Sequence, residues 1–354
     1  MKEYGSDFII AEPIGELNKI YANDIINEYL LGRTALDAII QDAIKTKKIK
    51  KVMLPSYCCH TMIAPFAKHG LEIEFYDIFT LGSGIEYCIE ENASFDAILI
   101  MQYFGFYNAN FFDLIKKWKA RGKIIIEDAT HSILQLRPYS EVSDYVFVSY
   151  RKWMATNGGA IVKKRNGSIT TELVKDEESV RDKYLRLKKR AVEEKKRYFA
   201  DGAVGTKNYL SIFQQAEETI ENEYAGFQID SDSQHAIRYT DYNRIREIRR
   251  ENAKYLLGEL AGISRIKRVF TAMDEQDCPL FVPILLKRED RADMRQFLIK
   301  KNVFLPMHWP VSNLHKLTNR AKQFYDEEIS IVCDQRYAVE DMAYIINQIK
   351  EWAE

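Results

Sequence analysis

Three features of the chain place reactive side chains where apolar runs stop. Asp128 closes Ile124-Ile125-Ile126-Glu127, and Lys152 follows Val146-Phe147-Val148-Ser149-Tyr150-Arg151 and precedes Gly158-Gly159 and another apolar stretch. In parallel α/β sheets, ligands gather at the carboxyl ends of strands. An acid there either caps the next turn, its ordinary use, or meets a buried cationic group of a ligand. A lysine there is by default a surface cation, but desolvation amid aromatic residues lowers its pKa and makes its amine a nucleophile. The third feature is Gly32-Arg33-Thr34, which sets backbone N–H groups, a hydroxyl and a guanidinium at the start of a helical stripe, an arrangement that favours an anion.

These positions presuppose an alternation of strands and helices. The stripe Leu36, Ile39, Ile40, Ala43 predicts a helix over Leu36 to Ile44 with Thr34 as its N-cap. Val52-Met53-Leu54, Ile73 to Tyr76, Ala97 to Met101, Lys123 to Asp128, Tyr145 to Ser149 and Ala160-Ile161-Val162 read as buried strands, and Phe112 to Ala120 as a helix between two of them. Such alternation means βαβ units and a mostly parallel sheet. Residues 163 to 223 turn strongly charged, with both signs interspersed, and read as solvated helix rather than a nucleic-acid contact. Arg244 to Leu260, Arg291 to Lys300 and Glu340 to Trp352 predict helices, and Phe281 to Leu286 a strand broken by Pro283. The expected organisation is a large α/β domain over 1–240 and a smaller α+β domain over 241–354, packed rather than tethered, since no linker or internal repeat intervenes.

Bulk properties exclude more than they propose. With 51 Lys+Arg against 52 Asp+Glu, the 354-residue chain has no global field for nucleic acid or an anionic membrane. Its five cysteines are odd in number and lack framework spacing, its six histidines are scattered without metal-site spacing, and no apolar run is long enough for a membrane span. The expectation is a cytoplasmic protein without disulfides or a structural metal.

A nucleophilic amine, a strand-end carboxylate and an anion cradle are together what pyridoxal phosphate requires: a lysine for the aldimine, an acid to keep the pyridine nitrogen protonated and a helix N-terminus for the phosphate. At this point the sequence resembles the DegT-like aminotransferases of fold type I, many of which act on nucleotide-linked keto sugars. The resemblance runs over roughly residues 25 to 354, apart from the charged middle segment. Leu31-Gly32-Arg33-Thr34-Ala35-Leu36 resembles the phosphate-cup opening, Leu54-Pro55-Ser56-Tyr57 the following strand and loop, and Tyr103-Phe104-Gly105 the aromatic-glycine turn. Glu127-Asp128-Ala129-Thr130-His131 looks like the acidic strand end, Ser149-Tyr150-Arg151-Lys152 the lysine segment, and Leu305-Pro306-Met307-His308-Trp309-Pro310 the segment that reaches the substrate pocket.

The resemblance implies a three-layer α/β fold type I transferase and a homodimer that takes a small-molecule amino donor, glutamate, and a keto acceptor. It implies Lys152 for the aldimine and proton transfer, Asp128 for the pyridinium, His131 near the phenolic oxygen, and Gly32, Arg33, Thr34 and Ser149 for the phosphate. Arg151, His308 and Trp309 fall on the substrate side. The chain departs from the family where an aromatic residue usually stacks on the cofactor: Cys59 stands there, between Cys58 and His60, so that stacking weakens or passes to His60. The spacing from Ser149 to Lys152 is two residues shorter than usual, and Asn157 replaces an acid before the paired glycines.

Other readings remain open on the residues. Tyr57, Tyr103, Phe104, Tyr150 and Trp153 are each ordinary core candidates, His308-Trp309 a packed corner, Tyr344 and Trp352 packing residues, and His69, His235 and His315 structural or solvated. The alternative functions are a lyase or dehydratase using the same cofactor, against which the lysine at 152 argues, and a degenerate non-catalytic sensor. No G-x-G-x-x-G follows the early strands, which disfavours a dinucleotide-binding dehydrogenase.

Overall fold

The computed structural model describes residues 2–17, 26–135, 141–170 and 179–354. In chain order the first elements are β1 (Ile26–Tyr29), α1 (Gly32–Lys47), β2 (Lys51–Pro55), α2 (His60–Lys68), β3 (Glu72–Thr80), β4 (Ile85–Cys88), β5 (Ala97–Met101), α3 (Ala109–Ala120), β6 (Ile124–Asp128), β7 (Tyr145–Ser149) and β8 (Ala160–Lys164). They build an eight-stranded sheet in the order β1-β8-β7-β6-β5-β2-β3-β4, flanked by helices. This is the three-layer α/β arrangement that the resemblance implies, built from the βαβ units that the alternation predicts. β2 pairs in parallel with β3 and β5, and β5 with β6, while β1 with β8 and β3 with β4 are antiparallel. All five residues of β5 are buried, as a strand covered on both faces requires. Its register pairs Met101 with Asp128, so the carboxyl ends of β5 and β6 lie level.

The chain divides into two compact units. One combines residues 7–42 with 147–241; the other combines 3–6, 43–146 and 242–354. Residues 43–146 group with the C-terminal residues 242–354 in this division.

In the first unit the charged middle segment folds as α4 (Val180–Ala200) and α5 (Asn208–Thr219), followed by α6 (Ser231–Tyr239). Ser179 caps α4 by accepting from the Asp182 N–H at 3.4 Å. Ala191 of α4 clusters with Tyr209, Ile212 and Phe213 of α5. The segment is helical, as expected, but two of its lysines turn inward: Lys195 is only 1% exposed, its Nζ donating to the Asp7 carbonyl at 2.9 Å, and Lys188 Nζ lies 4.7 Å from the Phe213 ring centre. Long aliphatic stems bury readily when the ammonium finds a carbonyl or a ring face.

In the second unit the C-terminal elements are α7 (Tyr242–Glu259), β9 (Lys267–Arg268), β10 (Phe281–Leu285), α8 (Arg288–Lys300), α9 (Asn319–Glu327), β11 (Glu328–Val332) and α10 (Val339–Ala353). The three strands form an antiparallel sheet with β10 in the middle. Pro283 does not break β10. It faces Ser330 across the ladder, and the Ser330 N–H donates to the Pro306 carbonyl instead, so the missing proline N–H costs no bond at that pair. Trp352 packs on the terminal helix, its Nε1 donating to Asp293 at 2.8 Å, whereas Tyr344 is half-exposed and stacks on Tyr4 at 5.2 Å. No described helix is long and apolar enough to cross a membrane.

Candidate active site

In the first unit, α1 starts earlier than its stripe suggested. The Ala35 N–H bonds to Leu31 O at 3.0 Å, which makes Leu31 the capping residue and puts Thr34 inside the first turn. Thr34 therefore does not accept from the helix; its hydroxyl donates to the Tyr224 carbonyl at 2.6 Å. The first turn holds no acidic residue, and Lys45 and Lys47 occupy the last, so the macrodipole at the N-terminus is left for an outside anion. Gly32 permits a close approach there: a Cβ on it would stand 3.1 Å from Ser149 Cβ and 3.5 Å from Ser149 Oγ. Gly32 and Ser149 thus lie against each other.

Arg33 and Arg151 are engaged elsewhere. Arg33 donates to the carbonyls of Ile220 at 3.2 Å and Glu221 at 2.6 Å and lies 5.0 Å from the Tyr224 ring centre, so only its backbone faces the helix start as a donor. Arg151 pairs with Glu217 at 2.6 Å, and Lys188 approaches the same carboxylate at 3.8 Å. The Glu217 charge raises the Arg151 guanidinium, against the effect of burial. Burial works to raise the Glu217 carboxyl, but Arg151 and Lys188 outweigh it and hold the group at about 2. Burial, with Arg151, lowers the Lys188 ammonium. Lys152, one turn beyond β7, is solvent-exposed, while its neighbours Tyr150 and Trp153 are core residues.

In the second unit, Asp128 ends β6, is 5% exposed, and accepts from the Thr130 N–H at 2.9 Å. It therefore caps its turn and remains a fixed carboxylate at the strand end. His131, three residues on, accepts the Phe104 N–H on Nδ1 at 3.1 Å, which puts the proton of the neutral ring on Nε2. The turn that supplies this N–H depends on Gly105, whose φ is 85° and where a Cβ would sit 2.9 Å from His131 O and inside the Cys278 carbonyl.

His131, His308 and Trp309 come together. The histidine rings are 6.1 Å apart, and Trp309 lies 5.8 Å from His131 and 5.1 Å from His308. Phe104, Phe281 and Tyr57 complete the aromatic shell. Cys59 is the N-cap position of α2, where its Sγ accepts from the Thr61 hydroxyl at 3.2 Å, and His60 begins that helix. The loop before it is rigid: Tyr325 OH bonds the Cys58 N–H, His315 Nε2 meets the Cys58 carbonyl at 3.0 Å, and Tyr103 OH donates to the Tyr57 carbonyl. His315 thus has a structural role. Burial, with Cys59 and Asp128 adding to it, pushes the Cys58 thiol far up.

One residue central to this shell escaped the sequence. Glu328 is fully buried, yet it accepts from Tyr57 OH at 2.9 Å, Ser330 Oγ at 2.6 Å and the His308 N–H at 3.0 Å. Burial and then the Glu328 charge drive the Tyr57 phenol far up, keeping it a donor. The only signal in the sequence is an acid followed by alternating apolar residues, Glu328-Ile329-Ser330-Ile331-Val332, after Asp326-Glu327, which reads as a solvated acidic run.

No protein-family model matches the chain, and no curated protein matches it. Solved structures do. The aminotransferase TlmJ from Streptoalloteichus hindustanus superposes with a TM-score of 0.66 at 15% identity, covering 92% of this chain and 85% of that one. The putative sugar aminotransferase Spr1654 from Streptococcus pneumoniae, in its PLP form, gives 0.62 at 14% identity over 93% and 86%. DesI, solved in the presence of its TDP-sugar product, gives 0.61 at 10% identity over 99% and 94%. The chain has the fold of these proteins.

Proposed function

We propose that the protein is a pyridoxal-phosphate-dependent aminotransferase that transfers the amino group of glutamate to a keto acceptor, a nucleotide-linked keto sugar. The observation that carries this reading is the close approach of Ser149, at the end of β7, to the acid-free N-terminus of α1, with the exposed Lys152 three residues further along the chain. Among proteins of this fold, Spr1654 has a PLP form and DesI a TDP-sugar product, which supports the cofactor and the acceptor class.

The residues present fit the cofactor. Bound, pyridoxal phosphate supplies an electron sink for charge developing at the carbon that carries the amino group. Lys152 Nζ would hold the cofactor and would move a proton at that carbon. Asp128, fixed by Thr130, is the carboxylate for a protonated ring nitrogen. Ser149 Oγ and the N–H groups at Gly32, Arg33 and Thr34 anchor the phosphate, and His131 Nε2–H is a donor for a phenolate oxygen. Cys59 and His60, at the start of α2, are the residues this reading assigns to stacking on the cofactor ring, by a thiol or an imidazole. His308 and Trp309 line the substrate side; Arg151, held by Glu217, contributes its charge. A homodimer located in the cytoplasm belongs to the same reading, with five free cysteines in support.

The purified protein reconstituted with pyridoxal phosphate is expected to be yellow and to lose that colour on mixing with glutamate as 2-oxoglutarate is released. A colourless protein unaffected by the cofactor contradicts the reading, and colour that persists with every amino acid tried contradicts transamination in favour of lyase chemistry.

A further inference from the structure

The buried Glu328 carboxylate lies among more donors than a packing role needs, and its two oxygens have different work. Oε2 accepts from Tyr57 OH at 2.9 Å and from the His308 backbone N–H at 3.0 Å. Oε1 accepts from Ser330 Oγ at 2.6 Å and faces His308 Nδ1 at 3.5 Å. Three hydrogen bonds are thus donated to this one carboxyl group. Ser330 Oγ is also 3.4 Å from His308 Nδ1, and its one hydroxyl proton is already given to Glu328. Both neighbours of Nδ1 are therefore acceptors, and a histidine nitrogen between two acceptors carries the proton.

We propose that Glu328 is a positioning residue that fixes the proton of His308 on Nδ1, so that Nε2 is the atom through which His308 exchanges protons and bonds an oxygen group of the substrate. This rests on the aminotransferase reading and adds to it an acid–base group distinct from Lys152. His131 is the contrast within the same shell. Its Nδ1 accepts from a backbone N–H, so its Nε2 is a fixed donor. The two rings, 6.1 Å apart, hold opposite tautomers, an arrangement by which environment separates the roles of two like groups. The charged and titratable groups around the pair are Glu328 itself, Tyr57 with its phenol pushed far up, His131 facing His308, and Arg291, whose guanidinium donates to the Glu328 carbonyl at 2.9 Å.

Glu328→Gln tests this with little loss of fold. The amide oxygen replaces Oε2 and keeps the two donors, while the amide NH2 replaces Oε1 and points at Nδ1, which then must accept. In 15N-histidine-labelled apoprotein, with His308→Asn identifying the resonance, His308 is expected to show the Nδ1–H form in the wild type and the Nε2–H form in Glu328→Gln. His131 should stay Nε2–H in both. A wild-type His308 protonated on Nε2, or a tautomer unchanged by Glu328→Gln, overturns the proposal, and this readout does not depend on any activity. In turnover with glutamate, Glu328→Gln and His308→Asn are expected to lower kcat by the same factor, tenfold or more, with no further loss in the double variant. Independent, multiplicative losses also overturn it. Absence of turnover in the wild type alone would instead count against the aminotransferase reading.

Discussion

The two compact units handle polar groups in opposite ways. In the first, charges meet charges and backbone carbonyls at the margin of solvent: Arg151 with Glu217, Arg33 with the Ile220 and Glu221 carbonyls, Lys188 with Glu217 and a ring face. In the second, a fully buried acid, two histidines and a shell of aromatic rings are held by directed hydrogen bonds, most of them between residues far apart in the chain. The first arrangement depends on charge, which salt screens; the second depends on the geometry of fixed donors and acceptors.

The contrast breaks most severely at Gly105. Gly105→Ala forces a Cβ into the Cys278 carbonyl at a φ of 85°, displacing the N–H that orients His131. A loss of about 3 kcal/mol or more is expected, since both positive-φ strain and a backbone clash act there; thermal unfolding measures it, and a melting temperature within a degree of wild type refutes the rigid-shell account. Tyr57→Phe comes next. It keeps the ring but removes a donor to a buried charge, with an expected cost of about 1.5–3 kcal/mol by urea denaturation. The corresponding cut in the first unit, Arg151→Met, is expected to cost about 1 kcal/mol or less, because the partly exposed Glu217 retains Lys188 and water.

The pH dependence sharpens the same contrast. Glu217 is held at about 2 against an ordinary 4.5, so its contribution to stability is complete above 4.5 and is lost as the pH falls toward 2. Glu217→Gln is expected to flatten the acid limb of the stability curve in that window and leave the region above pH 5 nearly parallel to wild type. The smallest expected effect is at Val204, 80% exposed in the first unit: Val204→Ser should change stability by no more than about 0.5 kcal/mol.

What could be read in the sequence follows the same division. Parallel strands buried on both faces appear as unbroken apolar runs, so Ala97–Met101 and Ile124–Asp128 were visible, and with them the strand-end Asp128 and the turn that leads to Lys152. The glycine at 105 marked its turn because only glycine fits beneath the Cys278 carbonyl. Side-chain destinations were less visible. Arg33 and Thr34 stand at a helix start, but Arg33 Nη1 and the Thr34 hydroxyl donate to carbonyls at 220, 221 and 224, some 190 residues away. Glu328 was hidden for the same reason: its partners lie at Tyr57, His308 and Ser330, and a short-range pattern carries no trace of a fold-assembled pocket. Pro283 misled in the other direction, because whether a proline breaks a strand depends on which pair of the ladder it occupies.

In the proposed aminotransferase, Lys152 is the amine that would hold the cofactor. Borohydride reduction of the pyridoxal-phosphate-loaded protein, followed by peptide mass analysis, tests it directly. The account predicts one reduced adduct, on the peptide containing Lys152, and none in Lys152→Ala. An adduct at Lys163 or Lys164 instead, or one that persists in Lys152→Ala, would contradict it.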